Sequence, residues 1–147
     1  METYSCTIPG TPIAKKRPRF ARRGKFVAVI NDQTTAEGRF LLDARQQLGI
    51  EEPLEVPVSL IVNFFMPRPK YHYGTGKNSN MLKPSAPHFH TKKPDLDNLV
   101  KFVTDCLTGY AWKDDCFVVD TYSTKSYSDK PRVQLHIRPL QAVWNES

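Results

Sequence analysis

From Thr3 to Ile8 the chain alternates, with Tyr4, Cys6 and Ile8 set against Thr3, Ser5 and Thr7. A period of two belongs to a strand with one buried face, so a strand is predicted here. Pro9-Gly10-Thr11-Pro12 ends it. The segment after it contains Pro18 and Gly24 and reads as a loop or hairpin, before a short apolar β-type run from Phe26 to Ile30. Between Thr34 and Leu48 the period changes. Phe40, Leu41, Ala44 and Leu48 share a helical stripe, Thr34 or Thr35 can cap the start, and Gly49 can close the end. Val58 to Met66, behind Pro57, is rich in β-branched and aromatic residues and predicts a central strand.

Residues 67–94 break the periodicity with five prolines and the glycines Gly74 and Gly76. Such a long irregular excursion inside a compact domain is usually functional or mobile. Asp95 to Thr108 is the second helix, with Leu96, Leu99, Val100, Val103 and Leu107 at helical spacing and Gly109 as the stop. Phe117 to Ser123 and Arg132 to Arg138 predict the last two strands, the latter alternating Val133, Leu135 and Ile137 with polar partners. The order implies one α+β domain over residues 1–147, with two main helices packed on a mixed sheet. A length of 147 residues can bury a core without disulfides. The 39% apolar and 24% charged content excludes wholesale disorder. No apolar run approaches the roughly 20 residues of a membrane span. Met1-Glu2-Thr3-Tyr4 lacks the pattern of a secretory leader. Cys6, Cys106 and Cys116 are odd in number and far apart, which fits reduced thiols and a cytoplasmic location.

Charge adds a direction. Lys and Arg exceed Asp and Glu by 21 − 15 = 6, and the excess is concentrated. The segment 12–25 carries Lys15, Lys16, Arg17, Arg19, Arg22, Arg23 and Lys25 with no acid. Between Val56 and Pro94 there is again no acid, but there are Arg68, Lys70, Lys77, Lys83, Lys92 and Lys93. Concentrated basic segments favour a polyanion through phosphate neutralisation and counterion release. A merely solvated basic surface is the alternative.

The densest chemistry lies in residues 92–115. Lys92-Lys93-Pro94-Asp95-Leu96-Asp97-Asn98-Leu99-Val100-Lys101 is followed by Trp112-Lys113-Asp114-Asp115. Pro94 disfavours helix in the residue before it, and Asp95 is a good N-cap, so the helix starts here. In a regular helix residues 95 and 97 would point about 200° apart. A non-helical Asp95 could instead swing its carboxylate towards Asp97. Asp97 and Lys101 stand four residues apart on the face opposite the apolar stripe. The Asp114-Asp115 turn enters the next strand, where a carboxylate could come back beside the helix start. Carboxylates gathered in a basic protein suit a hard divalent cation such as Mg²⁺, which takes one or two of them with waters and phosphate. With a lysine to neutralise developing charge, that is the layout for metal-assisted phosphodiester hydrolysis. The same residues could be a helix cap, an i, i+4 ion pair and ordinary turn formers.

The block Lys93-Pro94-Asp95-Leu96-Asp97-Asn98-Leu99-x-Lys101, then Asp105-x-Leu107 and Trp112-x-Asp114-Asp115-x-x-Val118, resembles the RusA family of Holliday junction resolvases. Ile8-Pro9-Gly10-x-Pro12 and Lys16-x-Pro18-Arg19 are similar to that family's first strand and basic loop. The resemblance covers nearly the whole chain. It implies a RusA-like fold and a homodimeric, Mg²⁺-dependent endonuclease (Mn²⁺ able to substitute) that cuts four-way DNA junctions by paired symmetric nicks in recombination and repair. It maps metal-binding, catalytic aspartates onto Asp95, Asp97 and Asp115 and the catalytic lysine onto Lys101, with Asp114 a supporting neighbour. The DNA-binding residues expected are Lys15, Lys16, Arg17, Arg19, Arg22, Arg23, Lys92 and Lys93. Such proteins are often encoded by phages and prophages. The loop 67–94 is longer than in the shortest members, and Lys92-Lys93-Pro94 stands where some carry arginines.

Other residues take quieter readings. His72, His88 and His90 lack a further ligand at zinc spacing. Phe20 could wedge into a junction or anchor its loop, Trp112 packs beside the site, and Cys106 packs on the helix. Two other functions fit the residues: a non-catalytic nucleic-acid-binding module, or the same chemistry acting on other branched DNA.

Overall fold

The N-terminal alternation forms β1 (Tyr4–Pro9), with Cys6 and Ile8 buried and Ser5 and Thr7 exposed. The computed structural model describes residues 2–16, 19–23, 26–30 and 34–141, with backbone alone over 19–23, 26–30 and at 34. The basic segment and the apolar run after it form an antiparallel pair, β2 (Arg19–Arg23) and β3 (Phe26–Ile30), so the hairpin reading holds. Helix α1 (Thr34–Leu48) starts at Thr34, which puts Thr35 inside the helix rather than at its cap. Thr34's own cap lies outside the described residues. Gly49, at φ +62°, takes the left-handed turn that closes α1 and donates its N–H to Arg45 O at 3.3 Å.

Strand β4 (Val58–Pro67) is central in a mixed four-stranded sheet. It pairs antiparallel with β6 (Arg132–Pro139) and parallel with β5 (Val118–Ser128), and β1 lies outside β6. Parallel neighbours need a crossover, and the 67–94 excursion with helix α2 (Leu96–Leu107) supplies it. The sheet buries Val58, Leu60, Val62, Phe64 and Met66 of β4 with Val133, Leu135 and Ile137 of β6. Both helices pack into this core and meet at Phe40 and Phe102, edge to face with centroids 5.6 Å apart. Burying a side chain such as Leu99 or Leu107 contributes roughly 1.5–3 kcal/mol, which is what seats α2 firmly. On the opposite face Ile61, Asn63 and Phe65 are only half-buried, with the Arg132 guanidinium 3.8 Å above the Phe65 ring.

The predicted stripe of α2 is rotated in the structure. Leu99, Val103 and Leu107 are buried as expected, Phe102 and Cys106 join them, and Leu96 and Val100 are half-buried. Strand β5 runs five residues past the predicted Ser123 because its polar end remains laddered to β4, Phe64 to Lys125 and Met66 to Tyr127. The 67–94 excursion holds two short 3-10 turns and hangs on β5 through a Phe89–Ser126 bridge. No helix among the described residues is long and apolar enough to cross a membrane.

Candidate active site

Asp95 occupies the N-cap position of α2 with extended backbone, φ −70° and ψ 147°, but its carboxylate does not cap the helix. It turns instead to Lys93, whose Nζ donates to Oδ1 at 2.8 Å and Oδ2 at 3.0 Å. That hydrogen bond, then the charges of Lys93 and Lys125, hold the Asp95 carboxyl below the usual range. The same bond holds Lys93 above its ordinary value, and the charge of Asp97 adds to it. Two carboxylates therefore bear on one ammonium. Asp97, in the first turn, accepts from the Asn98 N–H at 2.9 Å. Lys101 is exposed and makes no ion pair with any described residue, so it is not spent as the i, i+4 partner of Asp97.

Sequence reading missed Lys125. Its Nζ donates at 2.8 Å to both Lys92 O and Pro94 O, gripping the chain across the cis Lys93–Pro94 peptide. The signal was hidden because Lys125 lies in the part of β5 that polar composition concealed.

Asp115 opens a short 3-10 turn, Asp115–Phe117, and Asp114 caps it by accepting from the Cys116 N–H at 3.2 Å. That bond holds Asp114 low, whereas the hydrogen bond to Asp114 and its charge push the Asp115 carboxyl up. The turn does not return beside the start of α2. Trp112, fully buried, fixes it at the helix's other end, where Trp112 Nε1 donates to Thr108 Oγ1 at 3.0 Å. The other carboxylate that raises Asp115 is Asp105, near the end of α2. Lys125, which holds the helix start, lies about 23 Å along β5 from Val118 at 3.3 Å per residue. A helix of 12 residues, about 18 Å long, separates the two motifs. Accordingly, no three acidic, His or Cys groups among the described residues gather as a metal site.

The basic residues divide. Lys15 bridges Glu37 of α1 at 3.0 Å and Asp105 of α2 at 3.4 Å, and its N–H donates to Asn98 O at 2.9 Å. It ties the basic segment to the helix that carries Asp97. Lys16, Lys92 and Lys93 are exposed. The side chains of Arg17, Arg19, Arg22, Arg23 and Phe20 lie outside the described residues. Cys106 is buried and its thiol pushed up to about 12 by that burial, so it packs rather than reacts. His72 and His90 stand against Tyr127 with ring centroids 4.7 and 4.9 Å away.

A divalent ion fits this donor set in chemistry. Asp95 and Asp97 offer hard oxygen donors, and the Lys93 ammonium already occupies a cation's place on Asp95. Asp115 makes no ion pair among the described residues.

A Bacillus subtilis (strain 168) protein, the uncharacterised YqaN, is 33% identical over 148 residues, spanning 97% of this chain and 100% of its own. Residues 9–138 match the family described as Endodeoxyribonuclease RusA, from the last residue of β1 almost to the end of β6. With β4, β5, nearly all of β6 and both helices inside the match, the chain belongs to the RusA endodeoxyribonuclease family.

Proposed function

We propose that this protein is a divalent-metal-dependent endonuclease that resolves four-way DNA junctions by paired symmetric nicks, in recombination and repair, with Mg²⁺ as the metal and Mn²⁺ able to replace it. The observation that carries the reading is the Asp95 carboxylate held on the Lys93 ammonium at the start of α2, with Asp97 in the helix's first turn and the exposed Lys101 one turn on. Asp95, Asp97 and Asp115 are the residues that would hold the ion. When bound, the ion would polarise phosphoryl oxygen and generate a hydroxide nucleophile at neutral pH. Lys93 would release Asp95 to the ion and turn to phosphate, for which an exposed, flexible ammonium is suited. Lys101 would neutralise the charge that develops at the scissile phosphate. Lys125 would keep the carbonyls on either side of Lys93 in place and so hold Asp95 on station.

A homodimer supports two cuts, because a twofold pair places one site at each scissile position of a junction. It also gives the separated Asp115 a role, since Asp115 of one copy can serve the Asp95 and Asp97 of the other. Mixing Asp97→Asn with Asp115→Asn protein tests that arrangement. Shared sites regain nicking on mixing, and sites built within one chain do not.

The substrate is tested by a panel of a four-way junction, a flap and a plain duplex, each with and without Mg²⁺. Paired nicks in the junction alone, dependent on the ion, are expected. Cutting of flaps at an equal rate would redirect the same chemistry to other branched DNA. Binding without cleavage under all conditions would leave a non-catalytic DNA-binding module.

A further inference from the structure

The long excursion between β4 and α2 builds a cavity of about 380 Å³ on the outer edge of β5. It is lined by the aromatic residues Tyr71, His72 and Tyr127, with Lys83, Lys92 and Ser85 among its other walls. The pocket is held by fixed contacts. Tyr127 N–H donates to His88 O at 2.9 Å and His90 N–H to Lys125 O at 3.1 Å, which pins the excursion to β5. Arg68 Nη1 donates to Pro87 O at 2.8 Å, and its guanidinium lies over the Tyr127 ring, 5.3 Å from the centroid. Lys83 N–H donates to His72 O at 2.9 Å. At Gly74 a Cβ would come within 2.8 Å of Asn78 Cβ and O, so this tight return of the loop requires glycine.

The electrostatics of the pocket are one-sided. No Asp or Glu occurs between residues 57 and 94. Lys83 and Lys92 make no ion pair among the described residues. Burial, then Arg68, Lys92 and Lys83, hold His72 below its ordinary pKa. Tyr71 is 58% exposed and presents its ring at the pocket mouth, edge to face with His72 at 4.8 Å. Cations without counter-ions call for an anion, and an exposed aromatic ring beside them calls for a flat apolar group. A nucleotide supplies both.

We infer that this pocket holds one nucleotide of the DNA strand next to the scissile phosphate, its phosphate at Lys83 and Lys92 and its unstacked base against Tyr71. The link to the scissile position is covalent. Lys92 lines the pocket, and the next residue, Lys93, holds Asp95. The inference rests on the nuclease reading for which strand is bound, and it gives the excursion a purpose. It would let the protein select DNA in which a base near the cut has left its stack, as at a branch point.

The test reads binding without metal, so it does not depend on cleavage. Fluorescence anisotropy in EDTA would follow a labelled oligo-dT single strand, a four-way junction and a duplex. The proteins are wild type, Tyr71→Ala, Tyr71→Phe and Lys83→Ala. Tyr71→Ala should weaken single-strand binding at least roughly fivefold, and Tyr71→Phe should stay near wild type, since stacking needs only the ring. Duplex binding should change less than about twofold in either. Lys83→Ala should lower the single-strand log–log salt slope by roughly 0.7. Wild-type single-strand affinity in Tyr71→Ala, or an equal loss on duplex, would overturn the inference. So would a Tyr71 dependence of free thymidine monophosphate binding with none for the oligonucleotide. A protein that shows the predicted binding pattern yet cuts no branched DNA in Mg²⁺ would retain the pocket and lose the nuclease reading.

Discussion

Replacing Lys101 by alanine separates its role at the reacting phosphate from any role in the fold. The side chain is exposed on the outer face of α2 and takes part in no ion pair among the described residues. Nothing is left unpaired in its absence, and alanine is the better helix former, so stability should change by no more than about 0.5 kcal/mol. For a chain of this size that is a Tm shift within about 2 °C. Binding should fall only by the share of one phosphate contact among many, reducing the log–log salt slope by roughly 0.9. Turnover should fall much further. A positioned donor that meets charge only in the transition state is worth about 10²–10³ in rate. Single-turnover cleavage of a four-way junction at saturating enzyme, beside anisotropy binding in EDTA and a thermal melt, measures the three quantities. If cleavage and binding fall by the same factor, Lys101 is only a backbone contact. A Tm loss of many degrees would show that it holds the fold.

The remaining expectations concern groups that the structure brought forward. Lys125→Met removes the two hydrogen bonds that hold Lys92 and Pro94, so the Mg²⁺ concentration for half-maximal cleavage should rise roughly tenfold. An unchanged Mg²⁺ requirement would dismiss it as a positioning residue. Lys15→Met should leave the salt slope of duplex binding nearly unchanged, because its ammonium is already committed to Glu37 and Asp105. A drop near the roughly 0.9 of a full phosphate contact would contradict this. Burial is the first cause that holds His72 and His90 below the usual 6.5, with neighbouring cations adding to it. The unfolded chain then binds more protons below that pH, so the stability these groups contribute above 6.5 is lost as the pH falls through their folded values. Melting curves from pH 7.5 to 5 should show a fall in Tm that His90→Gln flattens, and a parallel fall in both proteins would assign it elsewhere.

Much of this was legible because periodicity and burial coincide. The alternation at Cys6 and Ile8 and the stripe at Phe40, Ala44 and Leu48 mark faces that must be covered, and the fold covers them. The end of β5 was not legible, since Thr124, Lys125 and Ser126 carry no apolar pattern and are strand only because β4 ladders to them. Lys125 was lost with it. The place of the Asp114-Asp115 turn was not legible either, because the helix between the motifs has a fixed rise and buried Trp112 ties the approach to the turn to Thr108 at the end of α2. At Asp95 the sequence suggested a cap, and the nearby Lys93 ammonium, a stronger partner than a backbone N–H, took the carboxylate instead. Distances set by tertiary structure are what short-range pattern cannot supply.

The assignment of the carboxylates is tested most directly by Asp95→Asn, Asp97→Asn and Asp115→Asn, each assayed for four-way junction cleavage in Mg²⁺ and for junction binding in EDTA. Each substitution removes a ligand charge from the ion and repulsion from the DNA while keeping the side chain's size. The account predicts that all three lose cleavage and bind the junction as tightly as wild type or more so. Wild-type cleavage in any one of them would remove that aspartate from the site, and wild-type cleavage in both Asp95→Asn and Asp97→Asn would contradict the account at its centre.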